Sequence, residues 1–301
     1  MASSDESIDQ TIGRLVLNAP ENYLADFKNL PIFETPLVGI ADGDDEIFEL
    51  FRKVVSLRHI SPRAILERYK APAIEVSTIR VVSWALPFSA EIRRSNRLSE
   101  WPSELYSVAR NNGGALNYEM SRRLTSLLRK NGYAAVSPML TEEYDAFCSS
   151  EYAFSSSWSE RHVAYAAGLG SFGLNGCLIT SRGAMVRLGS LVTNAPLRTS
   201  SKRETDYRSP CLRNGGDDCG LCLEKCPCQA ISHAGLDKTK CYARRQTIRE
   251  RSIDLYTRKF HMLPAPIVKG GKKSTGFSLG CALCVSGVPC EGSDSLRGKK
   301  G

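Results

Sequence analysis

Eight of the nine cysteines between positions 211 and 290 have the residue type and spacing for redox or metal chemistry. They are Cys211, Cys219, Cys222 and Cys226, the last followed by Pro227, and then Cys241, Cys281, Cys284 and Cys290. The first group reads C-G-L-C-L-E-K-C-P, and the second contains C-A-L-C-V-S-G-V-P-C. Two sets of four thiolates match two cubane iron–sulfur clusters, each held by four Cys ligands. The rival reading is one Cys₄ zinc site built from the two C-x-x-C pairs. Eight placed thiols rather than four, a Cys-Pro step in the manner of bacterial ferredoxins and small residues nearby favour clusters.

In two-cluster ferredoxins the Cys before Pro serves the other cluster from its neighbours. That rule predicts Cys211, Cys219, Cys222 and Cys290 on one cluster, and Cys226, Cys241, Cys281 and Cys284 on the second. Two departures from the usual run are visible. Gly216 stands where the first Cys of C-x₂-C-x₂-C-x₃-C-P would fall, so Cys211 must reach in from a longer loop, and the second motif ends C-x₅-C. Cys148, Cys177 and Cys228 are left over and read as buried free thiols. Cys228, two residues from Cys226, is the nearest to a spare ligand.

The elements that must position these thiols are legible in part. Asp44-Asp45-Glu46 opens a helix to about Leu57, with Ile47, Leu50, Phe51, Val54 and Val55 at helical spacing. Ser61-Pro62 is an N-cap with proline at the first helical position, starting a helix through Arg68. Thr78 to Leu86, β-branched and apolar, predicts a buried strand closed by Pro87. Residues 101–111 and 115–130 predict two helices, the second ending at Asn131-Gly132, and Tyr133 to Ser137 predicts a strand. Ser157 and Glu160 have the spacing of a capping box for a helix through Ala167.

Then comes G-L-G-S-F-G-L-N-G, residues 168–176. Gly168, Gly170 and Gly173 match G-x-G-x-x-G numerically, but the order helix, loop, strand is wrong for a dinucleotide site. A backbone able to approach a large ligand, or a tight turn, is what remains. Cys177 to Thr180 and Ala184 to Thr193 predict a hairpin across Ser181-Arg182-Gly183, and polar residues 198–208 predict a linker.

Composition is that of an ordinary globular chain of 301 residues, 42% hydrophobic and 24% charged. The absence of a long apolar run, and of a charged and then apolar start, predicts a cytoplasmic protein with no membrane partner. There, dense cysteines mean metal or redox chemistry more often than disulfides. The net charge of +8 is uneven: residues 1–150 carry 17 Lys/Arg against 20 Asp/Glu, and residues 151–301 carry 23 against 12. Cations that offset thiolate-ligated clusters account for this excess more simply than a nucleic-acid surface does.

The run A-A-G-L-G-S-F-G-L-N-G-C-L-I-T (166–180), then V-R-L-G-S-L-V-T-N-A-P-L (186–197), then C-G-L-C-L-E-K-C-P-C-Q-A-I (219–231) resembles the epoxyqueuosine reductase and reductive dehalogenase family. Upstream, R-V-V-S-W-A-L-P-F (80–88) is similar to a strand of the same family ending in A-L-P-Y. The resemblance covers roughly residues 75–290. It implies an α+β fold: a nitroreductase-like core holding cobalamin, residues 1–197, and a C-terminal two-cluster ferredoxin-like domain, residues 198–301. It further implies that Gly168, Gly170, Ser171, Gly173, Arg187 and Ser190 border the corrinoid.

The chain also departs from the family. An acidic proton donor stands fourteen residues before the glycine loop in epoxyqueuosine reductases; here that position is Phe154. Tyr152 and Tyr165, with the cationic Arg161, are the candidate proton donors in its place, whereas Glu160 and His162 read as structural. The chain ends soon after Cys290, where many relatives carry a helical-repeat extension that helps bind tRNA. The expected function is therefore a reductase in which two 4Fe–4S clusters pass electrons to a corrinoid that reduces a small organic substrate. An external donor such as ferredoxin or flavodoxin would supply the electrons. The alternatives are a non-catalytic electron carrier or activator for a partner enzyme, and a tRNA-modifying epoxyqueuosine reductase with nucleic acid as partner.

Overall fold

A computed structural model describes residues 7–98, 100–151, 153–200, 203–213, 218–269, 272–278 and 280–292. The chain mixes helix and sheet. Helix α1 (Ile8–Leu17) leads into the short strands β1 (Tyr23–Leu24) and β2 (Leu30–Pro31), then β3 (Leu37–Asp42), α2 (Ile47–Val54) and α3 (Pro62–Tyr69). Next come β4 (Arg80–Pro87), α4 (Ala90–Ser95), α5 (Glu104–Lys130), β5 (Ala135–Val136), β6 (Ala146–Ser149) and β7 (Ala153–Ser156). Helix α6 (Glu160–Ala166) precedes β8 (Gly170–Phe172), β9 (Leu178–Thr180) and β10 (Val186–Thr193). The cysteine region holds α7 (Leu221–Glu224), β11 (Ile231–Ser232), β12 (Gly235–Leu236), α8 (Lys238–Lys259), β13 (Ala265–Lys269) and β14 (Lys272–Gly276).

The central sheet has the order β3-β4-β10-β5, with every neighbouring pair antiparallel. Alternation along β4 explains why it lies in the middle. Val82, Trp84 and Leu86 face one core with residues of α1 and α5, and Val81 and Ala85 face a second with residues of α2, α3 and α6. Covering both faces buries β4 from Val81 to Pro87. The indole of Trp84 donates to Asn117 Oδ1 at 2.7 Å, so its one polar atom is satisfied in the core.

Several expectations shift. The helices predicted at 101–111 and 115–130 are one, α5, running through Gly113 and Gly114. These glycines serve close packing: a Cβ at Gly113 would collide with the Phe33 ring, and one at Gly114 with the Arg187 guanidinium. The Ser157–Glu160 capping box does not form. Ser159 is the N-cap, without a side-chain cap bond, and Glu160 is the first helical residue. Ser157 Oγ instead accepts from Asp145 N and donates to Glu143 O, both at 2.8 Å.

The turn at Ser181-Arg182-Gly183 is present, closed by Thr180 and Gly183, with Gly183 at φ +92. Yet β9 pairs with β8 and β10 pairs with β4 and β5, so the predicted hairpin is replaced by strands in different sheets. A Cβ at Gly183 would meet the backbone of Glu291 and Gly292. The last described segment lies there, with Ala184 N donating to Cys290 O at 2.7 Å. Asn96 Nδ2 donates to Cys281 O at 3.2 Å and Arg97 pairs with the buried Glu291, which ties the second cysteine group to α4 and β10. The segment predicted as a linker is also tied down: Ser200 exchanges hydrogen bonds with the backbone of Ile40 on the edge strand β3.

Candidate functional site

Helix α6 and the glycine loop that follows it organise the site. Val163, Ala164, Tyr165 and Ala166 are buried in the second core, which holds the helix against β10. Gly168, at φ +74, takes the left-handed turn after the helix, and Gly170 lets β8 approach β9, because a Cβ there would overlap the carbonyl of Ile179. Leu174, from the loop tip, is buried with Cys226, Ala230 and Ile231, so the loop is packed into the cysteine region. Arg161 Nη1 donates to Gly176 O, and Asn175 Nδ2 donates to Cys284 O at 3.4 Å.

On one side of α6 lies a cleft of ≈ 1210 Å³, lined by Arg161, His162, Tyr165, Phe154, Gly173 and Gly176, with Leu236 and Lys238 from the cysteine region. It exceeds the roughly 300–1,000 Å³ of ordinary small-molecule sites. His162 is wedged against Phe51 and Phe172, with Nδ1 2.7 Å from Ser159 Oγ. Burial, then Arg161 and the neighbouring His59, lower its pKa to about 3, so it is neutral. Tyr165 donates its hydroxyl proton to Glu204 O at 2.7 Å. That bond engages the group proposed from sequence as a proton donor.

On the other side is a polar interior. The carboxylate oxygens of Glu160 are shut away from solvent and meet no geometrically sound hydrogen-bond partner. Burial lifts this carboxyl to about 7, against the lowering influence of Ser190 and Arg187. The Ser190 hydroxyl accepts from Trp158 Nε1 at 2.9 Å, which leaves its own proton to donate. Tyr144 is pushed up to about 12 by burial and by Glu160, and so stays a protonated donor. Between the two spaces stands Phe154, which lines the cleft, stacks on Tyr242 with ring centroids 4.9 Å apart, and carries the Arg245 guanidinium 5.3 Å from its ring.

The cysteines gather beneath the glycine loop. Burial first, then Cys211 and Cys219, raise Cys222 to about 11; burial, then Cys177, Cys222 and Cys211, raise Cys290 to about 12. Burial first, with Cys241 and Cys226 contributing, raises Cys281, and Cys284 feels Cys281 and Cys241. Each of these thiols is acted on by cysteines distant in the chain, and Cys177 acts on Cys222, Cys284 and Cys290 alike. Among the described residues no three His, Cys, Asp or Glu side chains converge as ligands of a single metal ion.

Cys177 lies between the groups and shares a hydrogen bond with Cys284 that favours the thiolate at Cys177, lowering it to about 7. None of the three leftover thiols is buried as expected: Cys177 and Cys228 are half-buried, Cys228 3.7 Å from Cys226 Sγ, and Cys148 is exposed on β6. Cys148 is exposed because β6 and β7 pair only with each other and are not covered by the central sheet.

Of the residues singled out from sequence, Arg161, Tyr165 and Gly173 share the cleft. Arg187 and Ser190 belong to the polar interior, and Ser171 is fully buried with its hydroxyl unpartnered. Gly168 and Gly170 shape the backbone. Tyr152 lies outside the described residues. Sequence reasoning passed over Glu160 as a cap and did not consider Tyr144. The available signal was a lone acid on an otherwise apolar helical stretch, Val163 to Ala166.

No family model matches the chain. An epoxyqueuosine reductase from Gloeobacter violaceus is 33% identical over 132 residues, 43% of this chain and 35% of that protein. The chain spans about a third of the length of this curated relative. Among solved structures, a catabolic reductive dehalogenase in complex with 3-bromo-4-hydroxybenzoic acid matches at TM-score 0.44 and 16% identity, covering 69% of this chain and 27% of that one. An epoxyqueuosine reductase with a modified tRNA-Tyr stem loop matches at 0.42 and 18%, covering 68% and 52%. The epoxyqueuosine reductase of Streptococcus thermophilus matches at 0.41 and 20%, covering 68% and 52%. Across its 132 matched residues, this chain is similar in sequence to the epoxyqueuosine reductases.

Proposed function

We propose that this protein is an iron–sulfur, cobalamin-dependent reductase, with a nitroreductase-like core (1–197) and a two-cluster ferredoxin-like region (198–301). The observation that carries the reading is the gathering of cysteines beneath a glycine loop that also walls a large cleft. The quartets fit 4Fe–4S clusters, in which the four thiolates bind four different irons and stand farther apart than the ligands of one zinc. Cys211, Cys219, Cys222 and Cys290 would hold one cluster, and Cys226, Cys241, Cys281 and Cys284 the other. The cleft fits a corrinoid in volume, and Gly173 and Gly176 let backbone approach its face. Bound there, the cofactors would supply one-electron transfer and a low-valent cobalt able to attack an organic substrate.

The chain's own residues supply position and protons. Arg161 braces the loop, and Leu174 anchors it to the cysteine region. Glu160, with its carboxyl held near neutrality, is the proton donor that replaces the acid missing at Phe154; Tyr144 is a second protonated group beside it. Helix α8 carries Arg244 and Arg251 on the two sides of the Trp101 ring, 3.7 and 4.2 Å from its centroid. This basic face suits an acidic electron donor such as a ferredoxin or flavodoxin.

Anaerobically purified protein is expected to carry about eight irons per chain and a corrinoid spectrum. Cys281→Ser should halve the iron, whereas Cys177→Ser should leave it unchanged. Iron without corrinoid, after reconstitution with cobalamin, would leave an electron carrier as the better reading.

A further inference from the structure

Arg110 of α5, Arg187 of β10 and Arg245 of α8 bring three guanidinium groups into one interior neighbourhood. Among the described residues none of them makes an ion pair with a carboxylate. Each is half-buried in this shared neighbourhood, the chamber. The chain makes room for them: a Cβ at Gly114 would collide with Arg187 Nη2, and one at Gly280 with Arg110 Nε. Unpaired buried cations are costly, and the cost is visible: burial first, then Arg110, lowers Arg187 to about 9 and also lowers Arg245.

Two of these charges have an answer within the protein. Arg245 lies by Cys241 and Arg110 by Cys177, close to the proposed cluster ligands. Arg187 differs. The charged and polar groups that act most strongly on it are Arg110, Tyr106, Tyr144 and Arg245, and it acts in turn on Glu160. Its one hydrogen bond, to Ser278 Oγ, is long at 3.5 Å. The acid beside it, Glu160, is buried without a partner. A guanidinium in such a place is matched by an oxyanion, which it can grip with two parallel N–H bonds.

We propose that this chamber binds the carboxylate or phosphate group of an anionic substrate, with Arg187 as its main ligand and the Ser278 and Tyr144 hydroxyls beside it. Assigning the anion to the substrate rests on the reductase reading; the anion site itself does not. Arg245, from the same arginine neighbourhood, lies 5.3 Å from the ring of Phe154 on the cleft wall, so the substrate's anionic end would be held while its reducible end approaches the cofactor side.

The test uses cluster-loaded protein prepared without oxygen, titrated with inorganic phosphate and with acetate against chloride at equal ionic strength. The wild type is expected to bind phosphate or acetate saturably. Arg187→Gln should weaken that binding roughly tenfold or more, Arg187→Lys less, and both should keep their iron and visible absorption. Equal responses to phosphate, acetate and chloride in the wild type would overturn the proposal. So would unchanged binding in Arg187→Gln, or loss of iron in both variants, which would make Arg187 a counter-charge to a cluster. Cobalamin and cobinamide separate the sources. If Arg187→Gln weakens only cobalamin, which carries a phosphate, the anion is the cofactor's and the substrate assignment falls. Saturable, Arg187-dependent binding in a protein that takes up no corrinoid would keep the site and sink the reductase reading.

Discussion

The two spaces on either side of α6 differ in how they treat charge. The cleft is walled by Tyr165, His162, Arg161, Phe154 and glycines, and three of its groups are answered: Tyr165 by Glu204, His162 by Ser159, Arg161 by Gly176. The chamber holds Glu160, whose oxygens have no hydrogen-bond partner among the described residues, and Arg187, which reaches Ser278 Oγ only at 3.5 Å. A satisfied wall suits a large cofactor held by shape. Unsatisfied groups cost stability and are kept where chemistry uses them. Glu160 and Arg161 are neighbours in sequence, yet one serves each space, because helical residues one position apart stand about 100° apart around the axis.

The sharpest way to break this comparison is Glu160→Gln. On the reductase reading it should lower turnover by about 10²–10⁴ at unchanged iron and corrinoid content, and remove the limb near pH 7 from the rate profile. A variant as active as the wild type would return Glu160 to a structural role.

The same substitution should act oppositely on stability. The carboxyl is raised from its ordinary value to about 7 in the folded state, so between those values the folded protein holds a proton that the unfolded chain releases. Stability is therefore lost as pH rises from about 4.5 to 7. Glu160→Gln should gain about 2–3 kcal/mol relative to wild type at pH 8 compared with pH 4.5, read by urea unfolding at both values. His59 and His162 run the other way. Burial lowers them to about 4 and about 3, so their contribution is complete above pH 6.5 and falls as the medium acidifies. His59→Gln should flatten the acid limb of the wild-type curve.

Phe154→Ala should join the two spaces. With the partition gone and water admitted, the upper rate-controlling pKa should move from near 7 toward the ordinary carboxylate range, and turnover at pH 7 should fall about tenfold. A pH profile identical to wild type would show that Phe154 does not separate them. Tyr165→Phe is expected to have the smallest effect. It removes one hydrogen bond to a backbone carbonyl, worth about 1 kcal/mol, and should change turnover less than threefold. A thousandfold loss would restore Tyr165 as the proton donor.

Local chemistry that acts over a few residues was legible in advance. The Ser61-Pro62 helix start is as expected, with Ser61 Oγ accepting from Ala64 N at 3.2 Å, and the apolar β-branched run beginning near Arg80 is the most buried strand of the sheet. The failures came where a distant partner decided the outcome. Gly113-Gly114 looked like a helix break because the sequence does not show Phe33 and Arg187 pressing on the helix. Leu178–Thr180 looked like the partner of β10 because adjacency was the only guide, whereas β10 is claimed by β4 over eight residue pairs.

The amino-acid sequence by itself determined the thiol inventory, its spacing and the glycine loop, because covalent spacing and residue type are properties of the chain. Only the tertiary structure decided that Glu160 is not a cap but a buried acid near neutrality, that Arg187 is brought beside Arg110 and Arg245, and that Phe154 of the cleft wall stacks on Tyr242. A side chain's charge state and its partners depend on what is brought around it in space. That is set by the packing of segments far apart in sequence.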